Sequence, residues 1–175
     1  MTLTIITPCS RPNNLHIMSL YIPKDVRWIV VFDNEVMPLQ PPSNCEAYCH
    51  TSDRSIVGNA QRNYGLTKVT GGYVYFLDDD TLLHPELYDV VKKSQFDFIH
   101  FMQAHRNGGI RLVGDKVGAG DIDTGCFVVK AEIAKAMHWA EDQYVADGYY
   151  AAACYSNSKT TKHINHVLSV YNALQ

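Results

Sequence analysis

Asp78-Asp79-Asp80 directly follows Tyr73-Val74-Tyr75-Phe76-Leu77, an aromatic and aliphatic run with the composition of a buried strand. Three adjacent carboxylates repel one another, and a compact fold rarely buries them without a partner. At the carboxyl mouth of a strand they form an oxygen-rich site for a hard divalent cation, Mn2+ or Mg2+. A cation held there can in turn bind a diphosphate. The alternative is a solvated, Asp-rich turn. Such turns seldom carry three acids immediately after a strand of this kind.

The elements that must position these acids come from the rest of the chain. Its 175 residues suit one domain, 1–175. An apolar fraction of 46% and a charged fraction of 19% are ordinary for a globular chain with a sizeable core. A formal charge of -3 gives no footing for nucleic acid. Five cysteines, an odd number with one loose Cys45-x3-Cys49 spacing, argue for reduced thiols rather than a disulfide framework. Cys45 and Cys49 would need a second ligand pair to make a zinc site, and none follows at ligand spacing. The N-terminus has neither a basic region nor a long apolar stretch, so a cytoplasmic protein with no membrane span is expected.

Leu3 to Thr7 reads as a β-branched strand stopping at Pro8, with Cys9 to Asn14 a polar loop and a short helix over about Leu15–Tyr21. Arg27 to Phe32 is a second strand, almost wholly apolar, ending in Asp33-Asn34. Met37 to Asn44 holds three prolines and reads as a loop, and Cys45 to His50 as a short third strand. Ser55 is placed to cap a helix reaching about Thr67, with Gly65 and Gly71-Gly72 loosening its end. After the acid-tipped strand, Pro85 opens a helix to about Lys93, and Phe96 to Phe101 is again strand-like. Strands alternating with helices at this spacing predict an α/β domain with a mainly parallel sheet. Ligands of such sheets bind outside the strand carboxyl ends. Three strands end in polar groups, Ser10-Arg11, Asp33-Asn34 and Asp78-Asp79-Asp80, which argues for one site built from three loops.

These residues resemble the GT-A fold glycosyltransferases that use nucleotide-diphosphate sugars. The resemblance is carried by Thr7-Pro8-Cys9-Ser10-Arg11-Pro12, by Gly58-Asn59-Ala60-Gln61-Arg62-Asn63-Tyr64-Gly65-Leu66 and by Tyr75-Phe76-Leu77-Asp78-Asp79-Asp80, the last similar to the family's DXD motif. It covers the first 85 residues and extends more loosely to about Tyr171. It implies a three-layer fold with a mainly parallel, mixed central sheet. Residues 1–105 would bind the nucleotide sugar and 106–175 the acceptor. Pro8, Ser10 and Arg11 would lie along the nucleotide, with Asp33 at the base and Arg62 facing the diphosphate or donor sugar. Asp78 would reach the ribose or the metal shell, and Asp80 would bind the metal. Asp79 stands between them and points either way. Arg62 has a plainer reading as a helix-surface Arg paired with an acid, and Arg11 and Asp33 have plain readings as loop and turn residues.

In the second half, Gly108-Gly109, Gly114, Gly118 and Gly120 suggest a hairpin or mobile loop over the site. Asp121 to Val129 is similar to the family's acceptor segment. That likeness implies Asp123, Thr124 and Gly125 near the acceptor, a bulge or turn being the alternative for this stretch. A helix is expected over about Lys130–Met137. Trp139 beyond it is a candidate to stack on a sugar, with core packing equally open. Asp147 heads a helix and matches the family's general base, with Ala146 where an adjacent Glu is usual. The dipeptide Glu141-Asp142 occurs six residues earlier. Asp147 also reads simply as a favourable helix-start acid. His163 and His166 precede an apolar strand, Val167–Tyr171, and His166 is the preferred additional metal ligand.

The resulting expectation is a metal-dependent glycosyltransferase, a hexosyltransferase of carbohydrate biosynthesis. It would move sugar from a UDP-sugar to a carbohydrate hydroxyl with inversion. A retaining enzyme on the same fold and a non-catalytic nucleotide-sugar-binding module are the alternatives. A haloacid-dehalogenase phosphatase fits badly, because aligning Thr81 with that family's threonine puts Leu77 at the nucleophile position.

Overall fold

In the computed structural model, which describes residues 2–33, 40–53 and 56–175, the chain alternates strands and helices. Its elements are β1 (Leu3–Cys9), α1 (Leu15–Ser19), β2 (Arg27–Phe32), β3 (Glu46–Cys49), α2 (Asn59–Lys68), β4 (Tyr73–Phe76), β5 (Leu82–Leu83) and α3 (Pro85–Lys92). They continue with β6 (Phe98–His105), β7 (Ile110–Leu112), β8 (Phe127–Lys130), α4 (Ala131–Ala136), α5 (Ala146–Ser156) and β9 (Thr161–Tyr171). The expected cap Ser55 and the first three residues of the expected proline loop, 37–39, lie outside the described residues. Helix α2 begins at Asn59 instead, behind Gly58.

The strands form one sheet in the order β3-β2-β1-β4-β8-β6-β9-β5, with β7 paired to β6. The four strands of the first half, β3-β2-β1-β4, are parallel throughout. Beyond β4 the pairing turns antiparallel, except that β6 and β9 run parallel. The first strand does not stop at Pro8. Pro8 pairs with Val31 and Cys9 with Phe32, so the loop starts at Ser10, one residue later than expected.

Alternation along each strand splits the core in two. Leu3, Ile5, Trp28, Val30, Tyr73 and Tyr75 pack on the face covered by α1 and α3. Ile6, Ile29, Val31, Val74 and Phe76 pack on the opposite face under α2, α4 and α5. The result is three layers, as expected. The five cysteines form no disulfide, and Cys9, Cys126 and Cys154 are buried in these cores.

Gly65 does not loosen the end of α2. It lies inside the helix, where an added Cβ would come within 2.6 Å of the fully buried Ile6 side chain. Alanine normally favours a helix interior by about 1 kcal/mol over glycine. Here the clash with a stiff β-branched neighbour outweighs that gain. Gly65→Ala is expected to destabilise the fold by about 1–3 kcal/mol, read as a lower melting temperature.

Candidate functional site

Strand β1 is flanked by β2 on one side and β4 on the other, so the sheet's connections change direction beside β1 and β4. In open α/β sheets the ligand cleft forms outside the carboxyl ends of strands at such a point. A cavity of about 660 Å³ opens there. It is lined by Pro8, Ser10, Arg11 and Asp33, by Arg62 and Asp78–Asp80, and from the second half by Arg111, Asp123, Thr124 and Asp147.

The three acids diverge. Asp79 is 3% exposed, and its Oδ2 accepts the backbone N–H groups of Ser10 and Arg11, both at 2.6 Å. Its Oδ1 accepts Arg11 Nη1 at 2.6 Å. Asp79 therefore staples the β1 loop to the β4 loop, and its carboxylate has little left to offer a nucleotide. Asp78 pairs with Arg62 Nη2 at 2.5 Å. Asp80 Oδ2 receives Arg11 Nη1 at 3.0 Å and the Gln175 side-chain amide at 2.6 Å.

Arg62 is turned inward. Its side chain is 5% exposed, Nη1 donates to Val57 O and Asn59 Oδ1, and the guanidinium lies over the Trp139 ring. Helix α2 carries it in a fixed attitude. Asn59 donates to the carbonyls of Ala140 and Gln143, and Asn63 exchanges hydrogen bonds with the Trp139 backbone. Gly58 makes the approach possible: at φ +81° it brings the helix so close to Pro8 that a Cβ would sit 2.5 Å from it. Arg62 thus orients Asp78 from the wall of the cavity.

Three further expectations change. Trp139 is fully buried, stacked on Tyr150 with ring centroids 4.3 Å apart, so it is core and not a sugar platform. Gly125 is buried too. The space of its missing side chain is filled by Gln103 and Ser169, leaving none for a sugar. His166 stands beside Glu86, with Nε2 3.2 Å from Oε2, and against the His84 ring. His163 contacts Val113 O. Neither histidine lines the cavity. Glu141 receives Ser52 and Asn63 and braces the segment ahead of α2.

Asp147 does reach the cavity, on the first turn of α5, with Oδ1 accepting its neighbour Gly148 N–H at 2.8 Å. Burial pushes its carboxyl upward, against that hydrogen bond and the charges of Arg62 and Arg111. Asp123 is held by Arg111 Nη1 at 2.6 Å and caps the turn Thr124–Cys126. Arg111, Tyr144, Tyr171 and Gln175 line the cavity without having been singled out in the sequence. The alternation of Ile110-Arg111-Leu112 between glycines was the available signal for the first; the rest carry none.

The donor set suits a divalent cation bound together with a diphosphate. Asp78 and Asp80 bring hard oxygens to one cavity, and Mg2+ sites often take one or two carboxylates, with phosphate and water completing the shell. Among the described residues no three His, Cys, Asp or Glu side chains gather to hold an ion by themselves. Three arginines against six aspartates leave the lining with a formal charge of -3, which repels a diphosphate unless a cation intervenes.

Burial raises the Asp78 carboxyl to about 6, with Arg62 opposing and Asp123 and Asp80 adding to the rise. Mn2+ uptake with a nucleoside diphosphate is therefore expected to weaken as pH falls through about 6, as the negative charge is lost. Titration calorimetry between about pH 5 and 7 checks this, and a flat response would contradict it. For folding the sign is opposite. A carboxyl raised in the native state favours the fold at low pH and loses that contribution as pH rises from 3.8 to about 6.

No protein-family model and no curated protein matches the chain. Solved structures do. S. aureus TarS 1-349 aligns with a TM-score of 0.75 at 16% identity over 97% of this chain and 60% of that one. The same protein in complex with UDP-GlcNAc gives 0.73 at 15% identity, over 97% and 58%. A mannosyltransferase from Pyrobaculum calidifontis in complex with GDP-Man and Mn2+ gives 0.72 at 17% identity, over 97% and 56%. The chain spans less than two thirds of the length of these neighbours. The likeness establishes a mixed α/β fold of GT-A type.

Proposed function

We propose that this chain is a metal-dependent glycosyltransferase that transfers a hexosyl group from a UDP-sugar to a carbohydrate hydroxyl with inversion. The observation that carries the reading is the cavity at the sheet's switch point. It joins Asp78 and Asp80 from one half of the chain to Asp147 from the other. Support also comes from structural neighbours solved with UDP-GlcNAc and with GDP-Man and Mn2+. Residues 1–105 supply most of the donor site and 106–175 the acceptor site, within one domain.

Asp78 and Asp80 are the residues that would hold Mn2+ or Mg2+, and the bound cation would supply charge neutralisation for the departing diphosphate. The protein's own part is orientation and proton transfer. Arg62 fixes Asp78, and Asp79 fixes the Ser10-Arg11 loop along which the nucleotide lies, with Asp33 at its base end. Asp147 takes the acceptor hydroxyl proton as that oxygen bonds to the anomeric carbon. The bond from that carbon to the diphosphate breaks, and its electron pair leaves with the phosphate. Burial raises the Asp147 carboxyl, which brings a base closer to working pH.

A donor-hydrolysis screen across UDP-, GDP- and TDP-sugars, with and without Mn2+, tests the reading. Metal-dependent release of nucleotide is the expected result, and the anomer of the product then reports inversion. No release from any donor would reject the enzyme in favour of a binding module. Among the described residues no helix is long and apolar enough to cross a membrane.

A further inference from the structure

We infer that Arg111, held by Asp123, Gln103 and Tyr171, is the side chain that contacts the sugar-proximal phosphate of the donor. The inference rests on the donor reading above and assigns the task that the sequence pattern gives to Arg62.

Arg62 is committed and covered. Both of its Nη atoms are engaged by Val57, Asn59 and Asp78, its face is covered by Trp139, and its Nε is buried without a partner. A phosphate oxygen would have to compete with Asp78 for its Nη2. Arg11 is about half exposed and shares its Nη1 between Asp79 and Asp80, and among the described residues no aromatic ring stacks on it to fix its plane.

Arg111 differs from both. Its Nη1 donates to Gln103 Oε1 at 2.5 Å and to Asp123 Oδ2 at 2.6 Å, and its guanidinium lies 3.9 Å from the centre of the Tyr171 ring. Three parts of the chain thus fix the plane of the fork: β6, the turn before β8 and the end of β9. Among the described residues its Nε and Nη2 have no acceptor, and the side chain remains 25% exposed in the wall of the cavity. A pre-oriented guanidinium with unused donors suits paired anionic oxygens, and little rotamer freedom is lost when it binds. The anion in a cavity already carrying six aspartates is the donor's own diphosphate. Arg111 lines the cavity from the half that carries Asp147, the candidate base at the sugar. This places it with the phosphate next to the sugar, the one absent from a nucleoside monophosphate. Asp123, whose carboxylate is spent on Arg111 and on the turn, is a positioning residue and not an acceptor ligand.

The test is calorimetry with Mn2+, comparing whichever of UDP, GDP and TDP the parent binds with the monophosphate of the same base. Arg111→Met is expected to weaken the diphosphate about tenfold or more and to leave the monophosphate within about twofold. Arg111→Lys, which keeps the charge and spares the fold, recovers diphosphate binding only in part. Asp123→Asn causes a smaller loss confined to the diphosphate. Equal losses for both nucleotides, or no loss for either, would overturn the assignment while leaving the donor reading intact. A parent protein that binds none of the three diphosphates would overturn the donor reading, and this assignment with it.

Discussion

Replacing Asp80 with asparagine is expected to lower metal-dependent turnover by about 10²–10³-fold and to remove Mn2+-dependent nucleotide binding. Asp80 is 5% exposed and shares its Oδ2 between Arg11 and the Gln175 amide. Asparagine fills the same space, so the fold has no reason to change. What disappears is one negative charge in a cavity whose affinity for a cation comes from such charges. Arg11 then loses one of its two acids and keeps Asp79, at 2.6 Å. Calorimetry with Mn2+ and UDP reads the loss of binding, and a thermal melt confirms the fold. Binding with unchanged affinity would remove Asp80 from the metal shell.

Asp147→Asn is expected to reduce turnover by about 10²–10⁴-fold and to leave donor affinity alone. The asparagine oxygen can still accept the Gly148 N–H, so the start of α5 is preserved while the proton acceptor is lost. In the parent, burial holds the Asp147 carboxyl above its ordinary range. The acid limb of turnover is expected to shift upward accordingly, with activity falling as pH drops and the carboxylate takes up its proton. Nucleotide binding measured in parallel separates this limb from the one belonging to Asp78. Unchanged turnover in Asp147→Asn would exclude Asp147 as the base and favour a retaining mechanism, which needs no base opposite the leaving group.

Much of the frame was legible because its signals are local. Arg27 to Phe32 is a strand over the expected residues, since a run apolar on both faces fits only a covered sheet. Pro85 opens α3 as its fixed φ requires. The acidic tip of β4 lies in the cleft because a parallel sheet sends its loops there. Pro8 is a misleading stop signal, because the strand continues through it to Cys9.

Composition, periodicity and turn chemistry determined an α/β sheet, a cleft at the ends of β1 and β4, and the gathering of Ser10, Arg11, Asp33 and Asp78–Asp80 around it. Those signals live within a dozen neighbouring residues. Only the tertiary structure decided what each charged group does. Arg62 is consumed by Asp78 and Asp79 by the backbone of Ser10 and Arg11, while the neutral Trp139 goes to the core and His166 stands at the surface beside Glu86. Arg111 emerged only there, stacked on a tyrosine sixty positions away in sequence. The physical reason is that the role of a buried charge is set by the partner that neutralises it. In this chain those partners arrive from distant segments, at distances that no local pattern encodes.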